Sequence, residues 1–324
     1  MMKTAASIDL GSYTARLLVA RVREGQIIES VARERIYVHI GNDPSLLDSR
    51  LLSNAAQSRA IEALRKLSEQ ALLLGANAIQ AVATGVIRSA GNREQFIDQI
   101  KKETGLNVRL ISGIEEANLT AKGALWALKG LGPPLGVFDL GGGSTEFFFQ
   151  QDQESKQRLL SIPLGAAVLT RRFLRKDPPD PRELSELEEA IKNILENAEF
   201  PFKEEVIRGL SLVGTGGTVT SIAAMKQNVP LPEISPENLN GTQINSSQIE
   251  EIFDKIKQCP FSERAILPGL DRNRANVIIA GTLSVLLIMQ HLQVDRLYVS
   301  LSDLLEGVLL DFLENFRVVE ETKI

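Results

Sequence analysis

Two stretches of this chain repeat one pattern of apolar and polar residues, with equivalent positions 130 residues apart. The first is "SIDLGSYTARLLV", which starts at Ser7, and the second is "VFDLGGGSTEFFF", which starts at Val137. In each, an apolar run ends in Asp-Leu-Gly, a polar turn follows, and a second apolar run returns, as in a β-hairpin. Because both copies keep the same spacing, we expect the chain to fold as two domains of one architecture.

The segments after each hairpin support this duplication. The first half is predicted as three strands followed by helix, strand, helix, strand and helix, up to about Leu128. The second half starts again with three strands, at "LGVFDL", "TEFFFQQD" and "QRLLSIPL", and continues with helices and further strands. Between the halves, "LKGLGPPLG" at 128–136 contains three glycines and two prolines, which predicts a boundary or hinge.

Composition limits the classes of function. The net charge of −5 disfavours long-range attraction of nucleic acid. A single cysteine excludes an intrachain disulfide, and the presence of only two histidines disfavours a histidine-rich metal site. The N-terminal "ASIDLG" leaves no room for a signal peptide, and the most apolar window, Val277–Leu292, is short for a membrane span. We therefore expect a cytoplasmic protein with no nucleic-acid partner and no membrane partner.

Three turns rich in glycine and hydroxyl side chains are candidates for binding phosphate. They lie at 11–14, at 141–145 and at 213–221. Glycine permits close approach and positive φ angles, so several backbone N–H groups can point at one anion, and the third turn also opens a helix. Each turn alone is compatible with a structural tight turn. Three of them in a duplicated chain favour a phosphate-binding site.

Acidic residues beside these turns are candidates for the chemistry. Asp139 and Glu146 flank the second turn, where both carboxylates can reach a divalent cation bound to phosphate oxygens. The alternative for Glu146 is a solvated strand residue. In "ISGIEEANL", Ser112 and Glu115 fit a capping box, which leaves Glu116 without a capping role. A carboxylate at that position can deprotonate an attacking water.

Several of these segments resemble one protein family. The motifs "IDLGSYTARLLVA", "AVATGVIRSAGN", "LISGIEEANL", "FDLGGGSTE" and "VGTGGTVTSIAA" follow the order seen in the Ppx/GppA family of exopolyphosphatases and guanosine pentaphosphate phosphatases. The resemblance implies an α/β, actin-like fold of the sugar-kinase and heat-shock-ATPase type, with duplicated ribonuclease H-like domains and a cleft between them. In this fold the C-terminal helix commonly returns to the first domain, so the predicted domains are 1–127 plus 299–324, and 128–298.

The resemblance also implies roles for individual residues. Glu116 would activate water against the terminal phosphate, and Glu146 would be the second essential glutamate. The implied ligands of Mg²⁺, or of another divalent cation, are Asp9, Asp139 and Glu146. The implied phosphate-binding residues are Gly11, Ser12, Arg88, Gly142, Gly143, Ser144, Thr145, Gly214, Gly216, Gly217 and Thr218.

The function implied is Mg²⁺-dependent release of orthophosphate from the end of inorganic polyphosphate, by a homodimer. The alternative is a guanosine pentaphosphate (pppGpp) 5′-phosphatase, with guanosine penta- or tetraphosphate as its partner. A more remote alternative is an ATPase, kinase or nucleotide sensor of the same fold, which the pair of Glu116 and Glu146 disfavours. The chain departs from the family pattern at Tyr13, where asparagine is frequent, at Asn276, where aspartate is common, and near Leu305, where many members have an arginine.

Overall fold

The computed structural model describes residues 2–200 and 209–321 of the chain. Its backbone divides into two compact units, Met1–Gly123 with Leu304–Ile324, and Ala124–Asp303. The domain boundaries predicted from sequence, 127/128 and 298/299, lie a few residues from these positions. Those boundaries and the hinge at 128–136 stay predictions about which parts of the chain fold and move independently.

Most of the predicted strands and helices are present, together with several short elements that were not predicted. Strand β10 is one of these, because three residues are too few to show a period. The described elements are β1 (Lys3–Leu10), β2 (Thr14–Arg23), β3 (Gln26–Tyr37), α1 (Ser45–Asp48), α2 (Asn54–Leu73), β4 (Ala78–Ala83), α3 (Gly85–Ser89), α4 (Arg93–Thr104), β5 (Val108–Leu110), α5 (Gly113–Ala127), β6 (Leu135–Leu140), β7 (Thr145–Gln150), β8 (Arg158–Ile162), α6 (Ala166–Phe173), α7 (Pro181–Glu196), β9 (Ser211–Thr215), α8 (Gly216–Gln227), α9 (Pro236–Leu239), β10 (Gln243–Asn245), α10 (Ser246–Gln258), α11 (Phe261–Arg264), α12 (Ile278–His291), β11 (Arg296–Val299) and α13 (Leu304–Glu321).

Both units contain a mixed sheet with the same strand order. The first sheet runs β3-β2-β1-β4-β5, and the second runs β8-β7-β6-β9-β11 with β10 added at its edge. In both, the first three strands are antiparallel and the first, fourth and fifth are parallel. Two copies of this order confirm the predicted duplication and the actin-like fold class.

The two hairpins also agree in register. Asp9 lies opposite Arg16 in the first, and Asp139 lies opposite Glu146 in the second. The same backbone hydrogen bond closes each turn. In the first turn the N–H of Gly11 donates to the C=O of Thr14 at 2.9 Å, and in the second the N–H of Gly141 donates to the C=O of Ser144 at 3.0 Å. The residue-by-residue equivalence predicted from the sequence repeat is therefore confirmed.

Alternate residues of β1 face opposite sides of the first sheet, as expected for a strand. Ile8 and Leu10 are buried in the core that this sheet forms with α2 and α4. Ser7 faces the other side, where its hydroxyl donates to the C=O of Leu305 in α13 at 2.7 Å. The strand is covered on both faces, so every residue from Ala5 to Leu10 is buried, including the polar Ser7 and Asp9.

Helix α13 is bound to the first unit by buried contacts. Leu304 packs in a core cluster with Leu119 of α5, and Leu305 is also buried. The carboxylate of Glu306, which is fully buried, pairs with the guanidinium of Arg33 in β3. The two leucines at the position where the chain departs from the family pattern are therefore core residues.

A glycine in α13 allows α5 to approach closely. A Cβ built on Gly307 would lie 1.8 Å from the C=O oxygen of Leu119. Gly307→Ala is expected to lower the free energy of unfolding by about 1–3 kcal/mol, the usual cost of overpacking, although alanine normally stabilises a helix relative to glycine. Urea denaturation checks this prediction, with Gly132→Ala as a control because a Cβ there meets nothing within 4 Å. An unchanged or raised midpoint for Gly307→Ala would contradict it.

The phenylalanines beside the second turn form the base of its hairpin. Phe147 and Phe149 lie on one face of β7 with nearly parallel rings, 5.8 Å between centroids. Phe147 also contacts Phe138 of β6 at 6.1 Å and Phe200 at 5.2 Å. These buried aromatic contacts hold the two strands that carry the glycine turn.

The apolar helix predicted at Val277–Leu292 is α12, in the core of the second unit. Its residues from Ile278 to Met289 are all buried. Among the described residues, no helix is both long and apolar enough to cross a membrane.

Candidate active site

The carbonyl groups of the second glycine turn are bound by the start of α6. The C=O of Gly141 accepts from the N–H of Ala166 at 3.0 Å. The C=O of Gly142 accepts from the N–H groups of Ala167 and Val168 at 3.0 and 3.1 Å. The first turn of α6 therefore holds the glycine turn in place.

The amide groups of the same turn are candidates for binding a ligand. Within residues 2–200 and 209–321, the N–H groups of Gly142, Gly143 and Ser144 donate no backbone–backbone hydrogen bond. These residues are only partly buried, so the amides are not enclosed in the core. Consecutive N–H groups in such a turn form the nest that suits a phosphate oxygen.

Glu146 is oriented by two hydroxyl groups. Its side chain follows the turn on β7 and is buried, with the whole residue 2% exposed. One carboxylate oxygen, Oε1, accepts from the hydroxyl of Ser144 at 2.7 Å and from that of Ser161 at 2.8 Å. The alternative of a solvated strand residue is therefore wrong. A buried carboxylate with fixed orientation is suited to a role in binding or chemistry.

Asp139 lies between the second and third glycine turns. It is opposite Glu146 on β7 and opposite Thr215 on β9, so these side chains share one face of adjacent strands. A Cβ built on Gly216 would lie 2.6 Å from Oδ1 of Asp139. The carboxylate therefore lies directly against the backbone that opens α8, in a space that only glycine leaves open.

The third turn has two features that point to an anion. Thr215 is completely buried, and within the described ranges its hydroxyl oxygen has no hydrogen-bond partner. A Cβ built on Gly217 would lie 1.6 Å from Nη1 of Arg274, so this guanidinium covers the backbone at the start of α8. A hydroxyl, a helix N-terminus and a guanidinium together favour phosphate.

The duplication extends to this third turn. Thr84 and Thr215 precede α3 and α8 with similar extended backbones, φ −134° and −127°. Each is followed by a glycine with positive φ, Gly85 at 56° and Gly216 at 90°. Both units therefore present a hairpin turn and a strand–helix turn on neighbouring strands.

In the first unit, Glu116 lies in the first turn of α5 and is paired with Arg88 of α3. The residue is 7% exposed, and its Oε2 lies 2.8 Å from Nη1 of Arg88. The same nitrogen donates to the C=O of Ile111 at 3.1 Å, which fixes the guanidinium. The N–H of Glu115 bonds to the hydroxyl of Ser112 at 3.1 Å, as the predicted cap requires, and the Glu115 carboxylate pairs with Arg109.

The first glycine turn is also closely packed. The hydroxyl of Ser12 accepts from the N–H of Val86 at 3.1 Å and lies against Gly85, where a Cβ would be 2.2 Å away. The carboxylate of Asp9 pairs with Arg16 at 2.8 Å. Nε and Nη2 of the Arg16 guanidinium both donate to Oδ2 of Asp9, and the role of Asp9 as a cation ligand stays a prediction.

Comparison with known proteins agrees with this architecture. The model of the Ppx/GppA phosphatase family matches residues 18–316. The chain belongs to the Ppx/GppA phosphatase family. It is 29% identical to exopolyphosphatase 2 of Mycobacterium tuberculosis, over 94% of this chain and 97% of that protein. It is 27% identical to the guanosine-5′-triphosphate,3′-diphosphate pyrophosphatase of Aeromonas salmonicida, covering 96% of this chain and 59% of that protein.

Solved structures of the family share the fold. A crystal structure of the Aquifex aeolicus Ppx/GppA family member has a TM-score of 0.80 and 30% identity, over 98% of this chain and 99% of that one. The crystal structure of an exopolyphosphatase-like protein has a TM-score of 0.84 at 25% identity, over 98% of this chain and 99% of that one. The family resemblance seen in the sequence motifs is thereby confirmed.

Three residues of this Ppx/GppA chain that were predicted to bind phosphate also make contacts within the protein through their side chain or Cα. The hydroxyl of Thr145 donates to the C=O of Leu164. The hydroxyl of Thr218 packs against Gly281 of α12, where a Cβ would lie 2.5 Å away. Gly214 is enclosed in the core, where a Cβ would lie 2.9 Å from Phe138. These hydroxyl groups and the Gly214 Cα are thus engaged in packing or hydrogen bonds within the protein, and phosphate binding by the backbone at these three positions stays a prediction.

Other residues near the predicted site were missed from the sequence. Ser161 on β8 contacts Glu146 but lies 15 residues further along the chain, with no motif around it. Arg274 was noted only as a basic residue before the apolar helix, and its place over Gly217 follows from tertiary packing. Arg88 binds Glu116 through Nη1, a contact that was not predicted, and its phosphate contact stays a prediction.

The residues at the second turn can bind a divalent cation whose coordination is completed by water and phosphate oxygens. Within the described ranges, no three His, Cys, Asp or Glu side chains are grouped closely enough to hold a metal alone. Asp139 and Glu146 supply two carboxylates on one face of the sheet. Magnesium typically binds one or two carboxylates and takes its other ligands from water and phosphate, so this pair is sufficient.

Proposed function

We propose that this Ppx/GppA chain hydrolyses the terminal phosphoanhydride bond of inorganic polyphosphate and releases orthophosphate. The observation that carries the proposal is the pair of buried carboxylates, Asp139 and Glu146, beside the amides of residues 142–144. Two carboxylates on neighbouring strands repel each other, and a divalent cation stabilises both in their ionised form. The two carboxylates can therefore bind a cation, and the neighbouring amides can bind the phosphate attached to it.

The proposed reaction uses Glu116 as the general base. Glu116 takes a proton from water, the water oxygen attacks the terminal phosphorus, and the bridging oxygen leaves with the bonding electrons. The guanidinium of Arg88 keeps the Glu116 carboxylate ionised and oriented for this step. The amides of residues 142–144 bind oxygens of the phosphate chain. Mg²⁺ held by Asp139 and Glu146 would supply positive charge against the phosphate oxygens.

The names of relatives support both candidate activities, polyphosphate hydrolysis and pppGpp hydrolysis. One relative is named an exopolyphosphatase and covers nearly the whole chain. Another is named a guanosine-5′-triphosphate,3′-diphosphate pyrophosphatase, which supports pppGpp as the second candidate substrate. We further propose a homodimer acting in the cytoplasm, which size-exclusion chromatography and fractionation can test.

Phosphate release from a panel of substrates tests the proposal. Long polyphosphate, tripolyphosphate, pppGpp and ATP are compared at equal phosphate-end concentration, with Mg²⁺ and with EDTA. We expect release from both polyphosphates with Mg²⁺ and loss of that activity in EDTA, because the phosphate charges are then no longer neutralised. Release from pppGpp alone would select the second candidate, and turnover of ATP alone would overturn the proposal.

A further inference from the structure

The first glycine turn carries an aromatic cluster that the proposed chemistry does not use. The chain has only three tyrosines and two histidines, yet Tyr13, Tyr37 and His39 meet here. Tyr13 stands edge-on to both other rings, with centroids 5.7 Å from Tyr37 and 4.5 Å from His39. Tyr37 and His39 are nearly parallel, with centroids 5.8 Å apart. All three residues are partly buried, so the cluster reaches the surface.

Backbone hydrogen bonds attach this cluster to the first glycine turn. The C=O of Tyr13 accepts from the N–H groups of Val38 and His39, at 3.0 and 3.1 Å. The neighbouring C=O of Ser12 accepts from the N–H of Gly41 at 2.7 Å. The backbone that carries the rings is therefore bound to the backbone of Ser12, one of the residues predicted to bind phosphate.

His39 adds a polar atom to the cluster. Its backbone is in the left-handed region, φ 48°, which is uncommon for a residue other than glycine. Its Nδ1 is buried and has no hydrogen-bond partner within residues 2–200 and 209–321. Burial and the nearby charge of Arg59 lower the pKa of His39, so the ring is neutral at pH 7. Because Nδ1 has almost no exposed surface, His39 would contribute its ring to a ligand rather than a hydrogen bond from this atom.

We propose that Tyr13, Tyr37 and His39 form a stacking surface for the purine base of a nucleoside polyphosphate. The phosphates of such a ligand would reach the turn at Gly11 and Ser12. The inference rests on the proposed function, and it adds to that function a determinant of substrate choice. Inorganic polyphosphate has no aromatic group, so it makes no use of these rings, whereas any base offers a π-face to them.

Matched substrates with and without a base test the proposal. The variants are Tyr37→Leu and Tyr13→Leu, and the control is Tyr298→Leu, the third tyrosine, which lies on β11 of the other unit. For pppGpp we expect kcat/KM to fall roughly tenfold or more, mainly through KM, as is typical when a stacked base loses its aromatic partner. For tripolyphosphate we expect a change below about twofold, as for the control on both substrates. Equal losses on both substrates, or no loss on pppGpp, would overturn the inference.

A measurement on the unaltered protein avoids any dependence on how the variants fold. Guanosine monophosphate and ribose 5-phosphate differ only in the base, and calorimetry gives the affinity of each. We expect guanosine monophosphate to bind at least several-fold more tightly, and equal affinities would overturn the inference. Failure to hydrolyse both long polyphosphate and tripolyphosphate would refute the proposed function separately, because the binding comparison requires no turnover.

Discussion

Replacing Glu116 by glutamine is expected to lower kcat at least about 100-fold while substrate affinity changes only a few-fold. Glutamine keeps the size of the side chain and can still accept from Arg88, but it cannot take a proton from water. The guanidinium of Arg88, 2.8 Å from the carboxylate, opposes the effect of burial and favours the ionised form that a general base requires. Rates of phosphate release and equilibrium binding of tripolyphosphate, measured on the same preparation, check both parts.

The neighbouring glutamate provides the matched control. Glu115 lies in the same first turn of α5 and is paired with Arg109, with 37% of its side chain exposed. Glu115→Gln removes one charge from the same helix end, so any general effect of charge on the helix or on phosphate attraction appears in both variants. We expect Glu115→Gln to retain activity within a few-fold. Full activity of Glu116→Gln, or an equal loss in both variants, would show that Glu116 is not the base.

Gly165→Ala is expected to lower kcat/KM on the order of 100-fold, the usual consequence of displacing a binding group by about 1 Å. A Cβ at this position would lie 2.3 Å from the carbonyl carbon of Gly143 and 2.5 Å from the carbonyl oxygen of Gly142. Both atoms are backbone, so no side-chain rotation relieves the contact. The turn must move away from α6, and the amides proposed to bind phosphate move with it. We also expect the free energy of unfolding to fall by about 1–3 kcal/mol.

Gly132→Ala is the control for this second prediction. It is the same substitution in the same unit, at a position where the added Cβ meets nothing within 4 Å. We expect its phosphate release and its urea denaturation midpoint to match those of the unaltered protein. Unchanged kcat/KM in Gly165→Ala would mean that the position of the glycine turn does not limit the reaction.

The hairpin repeat illustrates why much of the fold was predictable. Asp9 and Asp139 could be paired from the amino-acid sequence alone, because strand pairing keeps the same spacing in both copies. The turn at 142–144 was also predictable, since consecutive glycines between two apolar runs are typical of a tight turn. The partners of Glu116 and Glu146 were not, because Arg88 and Ser161 lie 28 and 15 residues away.

Hydroxyl groups and glycines that are close together in one motif have different surroundings in the structure. Thr145 and Ser144 are neighbours in one motif, yet Thr145 donates to Leu164 whereas Ser144 donates to Glu146. Gly214 and Gly216 belong to one turn, yet Gly214 packs in the core and Gly216 borders Asp139. Successive side chains of a strand point to opposite faces, which separates Thr145 from Ser144. Gly216 differs from Gly214 because it opens α8, whereas Gly214 lies within β9.

Periodicity and repeated motifs in the amino-acid sequence were sufficient to establish two copies of one α/β unit, the family, and the turns and acidic residues of the candidate site. These features are local, since they depend on the conformational freedom of glycine and the alternation of strands. Tertiary packing was needed to show that Arg88 binds Glu116, that Arg274 covers Gly217, and that two tyrosines meet His39 at the first turn. Such contacts join residues on different elements, and their distances depend on how helices and strands pack rather than on any local pattern.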